Sequence, residues 1–267
     1  MTKSLLENIN IVPALSQTVQ EVERVYQDEN STLEDMQRVI EKDPLVTADI
    51  LRILNSPMYG MKSTVTNVKQ AISLLGKDSV RMFVMSSAVD SFEINLSPYN
   101  MTQEEFKTAC DKQLALTIHW LARRQPQRLA LLGPAAFLVD IGRVIIAKTL
   151  IEDEKTDIIQ TAILAGEDIA SAEKTACGAQ TTDVTATMFH SWNFDPDIIH
   201  IIRYSDDPEG TSGEDREMAA ELKVIRETVM PNGEITDESI AIAKETIEEF
   251  ELDLVSYERA LEKVLDV

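Results

Sequence analysis

Residues 43–60 read Asp43-Pro-Leu-Val-Thr-Ala-Asp-Ile-Leu-Arg-Ile-Leu-Asn-Ser-Pro-Met-Tyr-Gly60 and predict one short helix with two well-marked ends. Aspartate followed by proline is a start signal, because the aspartate caps the helix and proline needs no hydrogen bond at the first helical position. Apolar residues then recur at helical spacing. Asn-Ser-Pro57 predicts the end of the helix, since the residue before a proline disfavours helical backbone.

Helix signals of the same kind recur on both sides of this segment. Ser31 or Thr32 is predicted to cap a helix, Gly76 to close one, and Thr102 with Glu105 to form a capping box. Only 5% of the residues are aromatic, so Leu, Ile, Val, Ala and Met must build the core. No strand-length alternation is evident. We therefore predict an all-α fold of many packed helices that ends in a helical C-terminal extension.

A polar, glycine-containing break at 206–213 is the best candidate boundary in the chain. It predicts a main domain over residues 5–205 and an acidic helical extension over 206–267. The extension contains 19 acidic and six basic residues, so it carries −13 of the net charge of −21. Two interpretations of these acids stay open. They are solvated helix faces, or they form a docking surface for a basic partner.

The composition also narrows the partners and the compartment. A net charge of −21 disfavours binding to nucleic acid or to an anionic membrane. Two distant cysteines predict no disulfide, and the N-terminal residues contain no apolar signal core. The most apolar stretch, 129–151, is interrupted by charged residues and is interpreted as a buried core helix. We therefore expect a cytoplasmic protein with no nucleic-acid or membrane partner; the oligomeric state stays open.

Segment 43–60 resembles the central signature of the HDOD family, the HD-related output domains of bacterial regulatory proteins. Four other blocks resemble later or earlier parts of the same family and stand in the expected order: Ile11-Val-Pro-Ala-Leu15, Val68-Lys-Gln-Ala-Ile-Ser-Leu-Leu-Gly76, Phe137-Leu-Val-Asp-Ile-Gly142 and Trp192-Asn-Phe-Asp-Pro196. Together they extend over about three quarters of the chain. The resemblance implies an HD-like helical bundle and a role in bacterial signalling.

The signature residues admit a structural role and a role in binding, and both stay open. The residues concerned are Asp43, Pro44, Arg52, Asn55, Ser56, Tyr59 and Gly60. Asn55 and Ser56 are suited to satisfy backbone groups at the helix end, and Gly60 allows a turn with positive φ. Arg52 is expected to pair with an acid. A partner or ligand that recognises this surface is the alternative interpretation.

The HDOD family is similar to HD-type phosphohydrolases, which hold one or two divalent metals with histidine and aspartate. The resemblance implies ligand positions that this sequence does not fill. Val139 stands where a histidine is expected, and only Asp140 remains of that doublet. Lys112, Thr181 or Thr182, and Tyr204-Ser205 occupy the other expected positions. We therefore predict no catalytic residue, no bound metal and no cofactor, and expect Asp140 either to pair with Arg143 or to act as a cap.

The remaining chemistry-bearing residues do not suggest another enzyme. We interpret His119, His190 and His200 as structural or surface residues. No glycine-rich phosphate loop and no nucleophile elbow occurs in the sequence.

The leading hypothesis is a non-catalytic regulatory module that binds a signalling protein or a small ligand. Its predicted cleft lies near Lys112, Asp140, Thr181 and Tyr204. For a nucleotide ligand, Lys112, Arg123 and Arg124 would be the nearest cations. Two alternatives stay open. One is a divalent-metal phosphohydrolase with an altered site, and the other is a scaffold that binds a basic partner through its acidic C-terminal helices.

Overall fold

A computed structural model of the chain describes residues 1–11, 16–57, 64–86, 94–121, 124–192 and 194–266. Within those ranges the regular structure consists of α-helices and short 3₁₀ turns, with no strand, which confirms the predicted all-α fold. The helices are α1 (Lys3–Ile11), α2 (Gln17–Gln27), α3 (Leu33–Glu41), α4 (Pro44–Leu54), α5 (Val68–Ser86), α6 (Gln103–Leu121), α7 (Pro126–Leu138), α8 (Gly142–Glu152), α9 (Thr156–Ala165), α10 (Ile169–Cys177), α11 (Thr181–Ser191), α12 (Pro196–Tyr204), α13 (Gly213–Thr228), α14 (Asp237–Glu249) and α15 (Leu254–Leu265).

The helices form two compact units, each built from more than one stretch of the chain. The first unit contains residues 1–13, 93–113 and 135–254, and the second contains 14–92, 114–134 and 255–267. Helices α6 and α7 each have residues in both units. The predicted boundary between 205 and 206 falls inside the first unit and stays a prediction.

The helix ends follow the local signals in the sequence. Asp43 accepts hydrogen bonds from the amides of Leu45 and Val46 and caps α4 as predicted. The Thr102 and Glu105 side chains and amides bond reciprocally at the start of α6. Gly76 has φ of +81° and interrupts α5, which explains why the sequence predicted a helix end there.

The signature segment is tied together by Asn55 at the end of α4. Its side-chain amide donates to the carbonyls of Leu51 and Val65, and its carbonyl accepts from the amide of Val65. Asn55 therefore satisfies backbone groups as expected. Arg52 pairs with Asp49 at 3.5 Å on the exposed face. Tyr59, Gly60, residues 12–15 of the upstream block and Arg123 lie outside the described residues.

One predicted helix has different bounds in the structure. The apolar run suggested a helix over about 134–150, whereas α7 begins at Pro126 and a turn over residues 139–141 separates it from α8. Pro134 lies inside α7. Asp140 and Gly142 interrupt the apolar run at this turn, but a single polar residue and a single glycine do not by themselves predict that a helix ends. The turn positions Asp140.

The apolar stretch Gln127–Glu152 is long and hydrophobic enough to cross a membrane by length and composition. In the folded chain, however, 89% of its most apolar window is buried. This burial is typical of a core segment, as the interrupting charged residues predicted.

A buried ion pair that sequence analysis did not predict lies in the second unit. Arg81 donates to both carboxylate oxygens of Glu23, each at 2.7 Å, and its guanidinium lies over the ring of Tyr26. The side chain of Arg81 is only 1% exposed. Residues on α2 and α5 are thus joined by a fully desolvated, bidentate pair.

Close packing of α8 on α11 fixes the centre of the first unit. A Cβ on Gly142 would lie 2.4 Å from the carbonyl oxygen of Thr181, so only glycine fits there. The hydroxyl of Thr185 accepts from the Gly142 amide at 2.9 Å and donates to the Val139 carbonyl at 2.7 Å. These contacts hold the turn that carries Asp140 against α11.

Candidate functional site

Asp140 is buried at the turn between α7 and α8, with 4% of its surface exposed. Gln113 of α6 donates to it at 3.1 Å, and the guanidinium of Arg143 lies 3.4 Å away. The predicted pair between Asp140 and Arg143 is therefore present. A buried carboxylate needs such partners, because an unpaired charge away from water is costly.

A second guanidinium reaches Asp140 from α13. Arg226 lies 3.4 Å from Asp140 and also bonds to Asp206, which follows α12. Burial by itself would raise the pKa of Asp140, but Arg226 and Arg143 outweigh burial and hold that pKa below its ordinary value. Conversely, burial acts to lower the pKa of Arg226, and Asp206 and Asp140 more than offset it and raise that pKa. Both groups are therefore charged at neutral pH.

A cavity of about 240 Å³ lies beside this ion network. Arg143 and Arg226 line it, whereas Asp140 does not. The other lining residues come from the N-terminal ends of α10 and α11, from Asp206 and from α13: Asp168, Ile169, Ala170, Glu173, Gln180, Thr181, Asp206, Lys223 and Glu227. The cavity therefore contacts the arginines that neutralise Asp140.

Glu173 forms a second buried network at the wall of the cavity. Its carboxylate accepts from the amide of Thr181 at 2.7 Å and from the Thr181 hydroxyl at 2.8 Å. The hydroxyl of Tyr99 donates to it at 2.8 Å. Burial and the neighbouring Glu173 raise the pKa of Tyr99. Thr181, which with Thr182 was a candidate for an expected histidine position, thus binds a carboxylate.

Of the four predicted cleft residues, Thr181 lines the cavity, and Asp140 adjoins it through Arg143 and Arg226, which line it. Lys112 instead donates to the carbonyl of Gly233 at 2.7 Å, and it does not line the cavity. Tyr204 also lies outside the lining and packs against His200, with ring centroids 4.6 Å apart.

The histidines take up separate positions. His200 contacts the Thr211 hydroxyl at 3.0 Å and lies 3.6 Å from Asp215. His190 is exposed near the end of α11, and His119 is partly exposed on α6.

The residues around Asp140 do not fit a divalent metal. Catalytic metals in HD-type sites need several imidazole and carboxylate ligands at one point. Here the groups next to Asp140 are two guanidiniums and an amide, which repel a cation or bind it weakly. Within the described ranges, no group of three or more His, Cys, Asp or Glu side chains is arranged to hold a metal.

Sequence reasoning missed Arg226, Asp206 and Glu173 as members of the site. Asp206 and Arg226 both belong to the segment treated as a C-terminal extension, and Arg226 lies 86 residues from Asp140. A weak signal was available in α13, where Lys223, Arg226 and Glu227 share one helix face at i, i+3 and i+4. Nothing in the sequence indicated where that face packs.

Comparison with known proteins gives a family match. The family model described as the HDOD domain matches residues 12–208. No curated protein matches the chain significantly.

Three solved structures are similar along nearly the whole chain. A candidate phosphohydrolase from Shewanella amazonensis SB2B is 20% identical, with a TM-score of 0.76 over 99% of this chain and 94% of that one. A virulence factor from Campylobacter jejuni subsp. jejuni is 25% identical, with a TM-score of 0.62 and coverage of 100% and 99%. A candidate signal transduction protein from Marinobacter aquaeolei VT8 is 19% identical, with a TM-score of 0.70 and coverage of 99% and 59%. The first and third similarities show the shared fold alone.

Proposed function

The chain belongs to the HDOD domain family, and we propose that it is a non-catalytic regulatory module that acts by binding a signalling protein or a small ligand. The observation that carries the proposal is the pairing of Asp140 with both Arg143 and Arg226. Two guanidiniums occupy the surroundings in which an HD-type enzyme needs metal ligands. The surviving carboxylate is used for an internal ion network.

The network also supports a binding role, because it leaves an adjoining cavity with polar walls. Arg143, Thr181 and Glu173 are held in place by buried contacts, so the cavity is formed before any ligand arrives. Preorganised polar groups around a concave site favour binding, since little ordering remains to be done. Cytoplasmic signalling is the setting that the family and the acidic composition support.

Hydrolysis assays on the full chain test the non-catalytic proposal. The protein is incubated with a panel of phosphomonoesters, phosphodiesters and nucleotides, each with and without added Mn²⁺ or Ni²⁺. We expect no turnover above that of an Asp140→Asn variant prepared in the same way. Turnover that needs the metal and is lost in Asp140→Asn would instead favour the alternative, a phosphohydrolase with an altered site.

A second candidate function is favoured by the exposed acids of α14. Asp237, Glu238, Glu245, Glu248 and Glu249 are all exposed on this helix. Such a surface attracts a basic protein, and the attraction weakens with salt. Deleting 207–267 is not a clean test, because α13 buries Met218, Leu222 and Ile225.

Charge reversal on the intact chain is the better test of this second candidate. Binding of a lysine-rich model peptide is compared between the parent and a Glu245→Lys, Glu248→Lys, Glu249→Lys variant. Loss of salt-sensitive binding in the variant is the expected result for an acidic docking surface. Equal binding by both proteins counts against it.

A further inference from the structure

Most acidic groups that line the cavity are already satisfied by the protein. Asp168 caps α10 by accepting from the amides of Ala170 and Ser171. Glu173 accepts three hydrogen bonds from Tyr99 and Thr181. Asp206 bonds to Arg226 and to the Thr182 hydroxyl. These three carboxylates therefore offer little to a ligand.

Three charged side chains in the cavity wall are incompletely satisfied, two of them cationic and one anionic. The Arg143 side chain is 92% buried, and its Nε has no hydrogen-bond partner in the described part of the chain. The Nε of Arg226 is also buried and has no hydrogen-bond partner among the described residues. Oε2 of Glu227 is likewise buried without a partner among the described residues. The same carboxylate accepts a hydrogen bond from the Thr246 side chain, and the Lys223 amine lies 3.9 Å from Oε1.

Unsatisfied buried polar groups are rare in native proteins, and each one needs an explanation such as an ordered water, an ion or a bound ligand group. Guanidinium N–H groups bind hydrogen-bond acceptors. An anionic acceptor is bound most strongly, because charge-assisted hydrogen bonds are stronger than bonds between neutral groups. The Glu227 carboxylate binds hydrogen-bond donors, and a cationic donor is bound most strongly. Burial raises the pKa of Glu227, and the hydrogen bond from Thr246 and the nearby Lys223 and Arg226 offset it only in part.

The volume limits the ligand to a small molecule. About 240 Å³ corresponds to roughly eight waters at ~30 Å³ each. Pockets for drug-sized ligands begin at about 300 Å³. The cavity therefore suits a molecule the size of one amino acid.

We infer that this cavity binds a small zwitterion of the free amino-acid class, with its carboxylate at Arg143 and Arg226 and its ammonium group at Glu227. The inference rests on the proposed function, because it names the ligand class of the same non-catalytic site. A zwitterion fits better than a simple anion, since the charged residues that line the cavity and the adjoining Asp140 are more often acidic than basic. It also fits better than a simple cation, which would meet two guanidiniums.

The test uses the full chain and the twenty common free amino acids as probes, measured by thermal shift and then by calorimetry. Each amino acid that binds is compared with its carboxylic acid lacking the amine and its amine lacking the carboxylate. We expect at least one amino acid to raise Tm, since a ligand that binds only the folded state stabilises it. Both truncated analogues should bind at least about tenfold more weakly, because each leaves one charged group unpaired.

Two variants make the assignment specific. Glu227→Gln keeps the shape of the side chain but removes the charge, and we expect it to weaken amino-acid binding by at least about tenfold. Glu238→Gln is the matched control, since Glu238 is exposed on α14 and does not line the cavity. Its affinity should equal that of the parent protein.

The inference is overturned if no amino acid binds, if the carboxylic acids bind as tightly as the amino acids, or if Glu227→Gln binds as well as Glu238→Gln. None of these results touches the proposed function, which fails only if metal-dependent turnover appears in the hydrolysis assays. The two experiments therefore separate a wrong ligand class from a wrong function.

Discussion

Arg226 of α13 lies 3.4 Å from Asp140, at the turn between α7 and α8, although 86 residues separate them in the sequence. The same arginine bonds to Asp206, so one guanidinium partly neutralises two carboxylates. Helix α13 follows the segment matched by the HDOD model, which ends at residue 208. A residue beyond the matched segment therefore completes the buried charge network of the first unit.

Removal of Arg226 should be strongly destabilising. Arg226→Ala leaves Asp140 with one cation and Asp206 with none, and breaking a buried ion network of this kind costs about 3–5 kcal/mol. Urea denaturation of the full chain measures the loss. Arg203→Ala, on the exposed face of α12, is the matched control and should change stability by less than about 0.5 kcal/mol. A loss under about 1 kcal/mol for Arg226→Ala would show that the network contributes little.

A double mutant cycle should show that Asp140 and Arg226 interact. Asp140→Asn removes the charge that Arg226→Ala leaves poorly compensated, so the double variant should be more stable than the sum of the single losses predicts. Contacting charged residues give coupling energies of about 0.5–3 kcal/mol. Strict additivity of the two single variants in urea denaturation would contradict the interaction.

Asp140 should contribute to stability in a way that depends on acid pH. Its folded pKa lies below the ordinary value of 3.8, because Arg226 and Arg143 outweigh burial. A carboxyl with a depressed pKa stabilises the fold above its unfolded pKa, and this stabilisation is lost as pH falls through the folded pKa. The free energy of unfolding measured between neutral pH and pH 3 should therefore fall less steeply for Asp140→Asn than for the parent. Parallel curves below pH 4 would contradict this assignment.

Gly142→Ala should disturb the contact between α8 and α11. The new Cβ would meet the Thr181 carbonyl at 2.4 Å and the Thr185 hydroxyl at 2.7 Å. Relief requires the two helices to separate, and overpacking of this kind costs about 1–3 kcal/mol. Chemical denaturation measures the change, and unchanged or increased stability would mean that α8 and α11 are less closely packed than described.

Asn55 in the signature segment should act chiefly as a structural residue. Asn55→Ala removes bonds to the carbonyls of Leu51 and Val65 and to the Val65 amide. Leaving these backbone groups without hydrogen-bond partners should lower the free energy of unfolding by about 1–3 kcal/mol. Asn55→Asp is the matched variant: it keeps the acceptor for Val65 but places a carboxylate oxygen beside the Leu51 and Val65 carbonyls, so at neutral pH its loss should be at least as large. Full stability of Asn55→Ala would leave binding as the better explanation of the motif.

Sequence reasoning predicted what local chemistry determines. The cap at Asp43, the capping box at Thr102 and the break at Gly76 depend on neighbouring residues, and all three are present. It did not predict the turn at 139–141, although Asp140 and Gly142 interrupt the apolar run there, because tertiary packing decides whether such residues end a helix. The pairing of Arg81 with Glu23 was equally hidden, since each is a common charged residue on a separate helix.

Within the site, too, the local contact of Asp140 could be predicted from the sequence and the distant contact could not. The pair of Asp140 with Arg143 lies within one helical turn and could be predicted from spacing. Arg226 could not, because helix packing over 86 residues brings it to Asp140. Lys112 and Tyr204 were assigned from the expected order of family blocks, and order along the chain does not fix which face of a helix lines a cavity.

Metal content is the most direct test of the central claim, that guanidiniums and not metal ligands surround Asp140. The full chain is purified without chelator, dialysed against Mn²⁺, Ni²⁺ or Zn²⁺, freed of unbound ion and analysed for metal per chain. The account predicts no metal above that of Asp140→Asn treated identically. One or two ions per chain, lost in Asp140→Asn, would contradict it, because HD-type catalysis needs that occupancy.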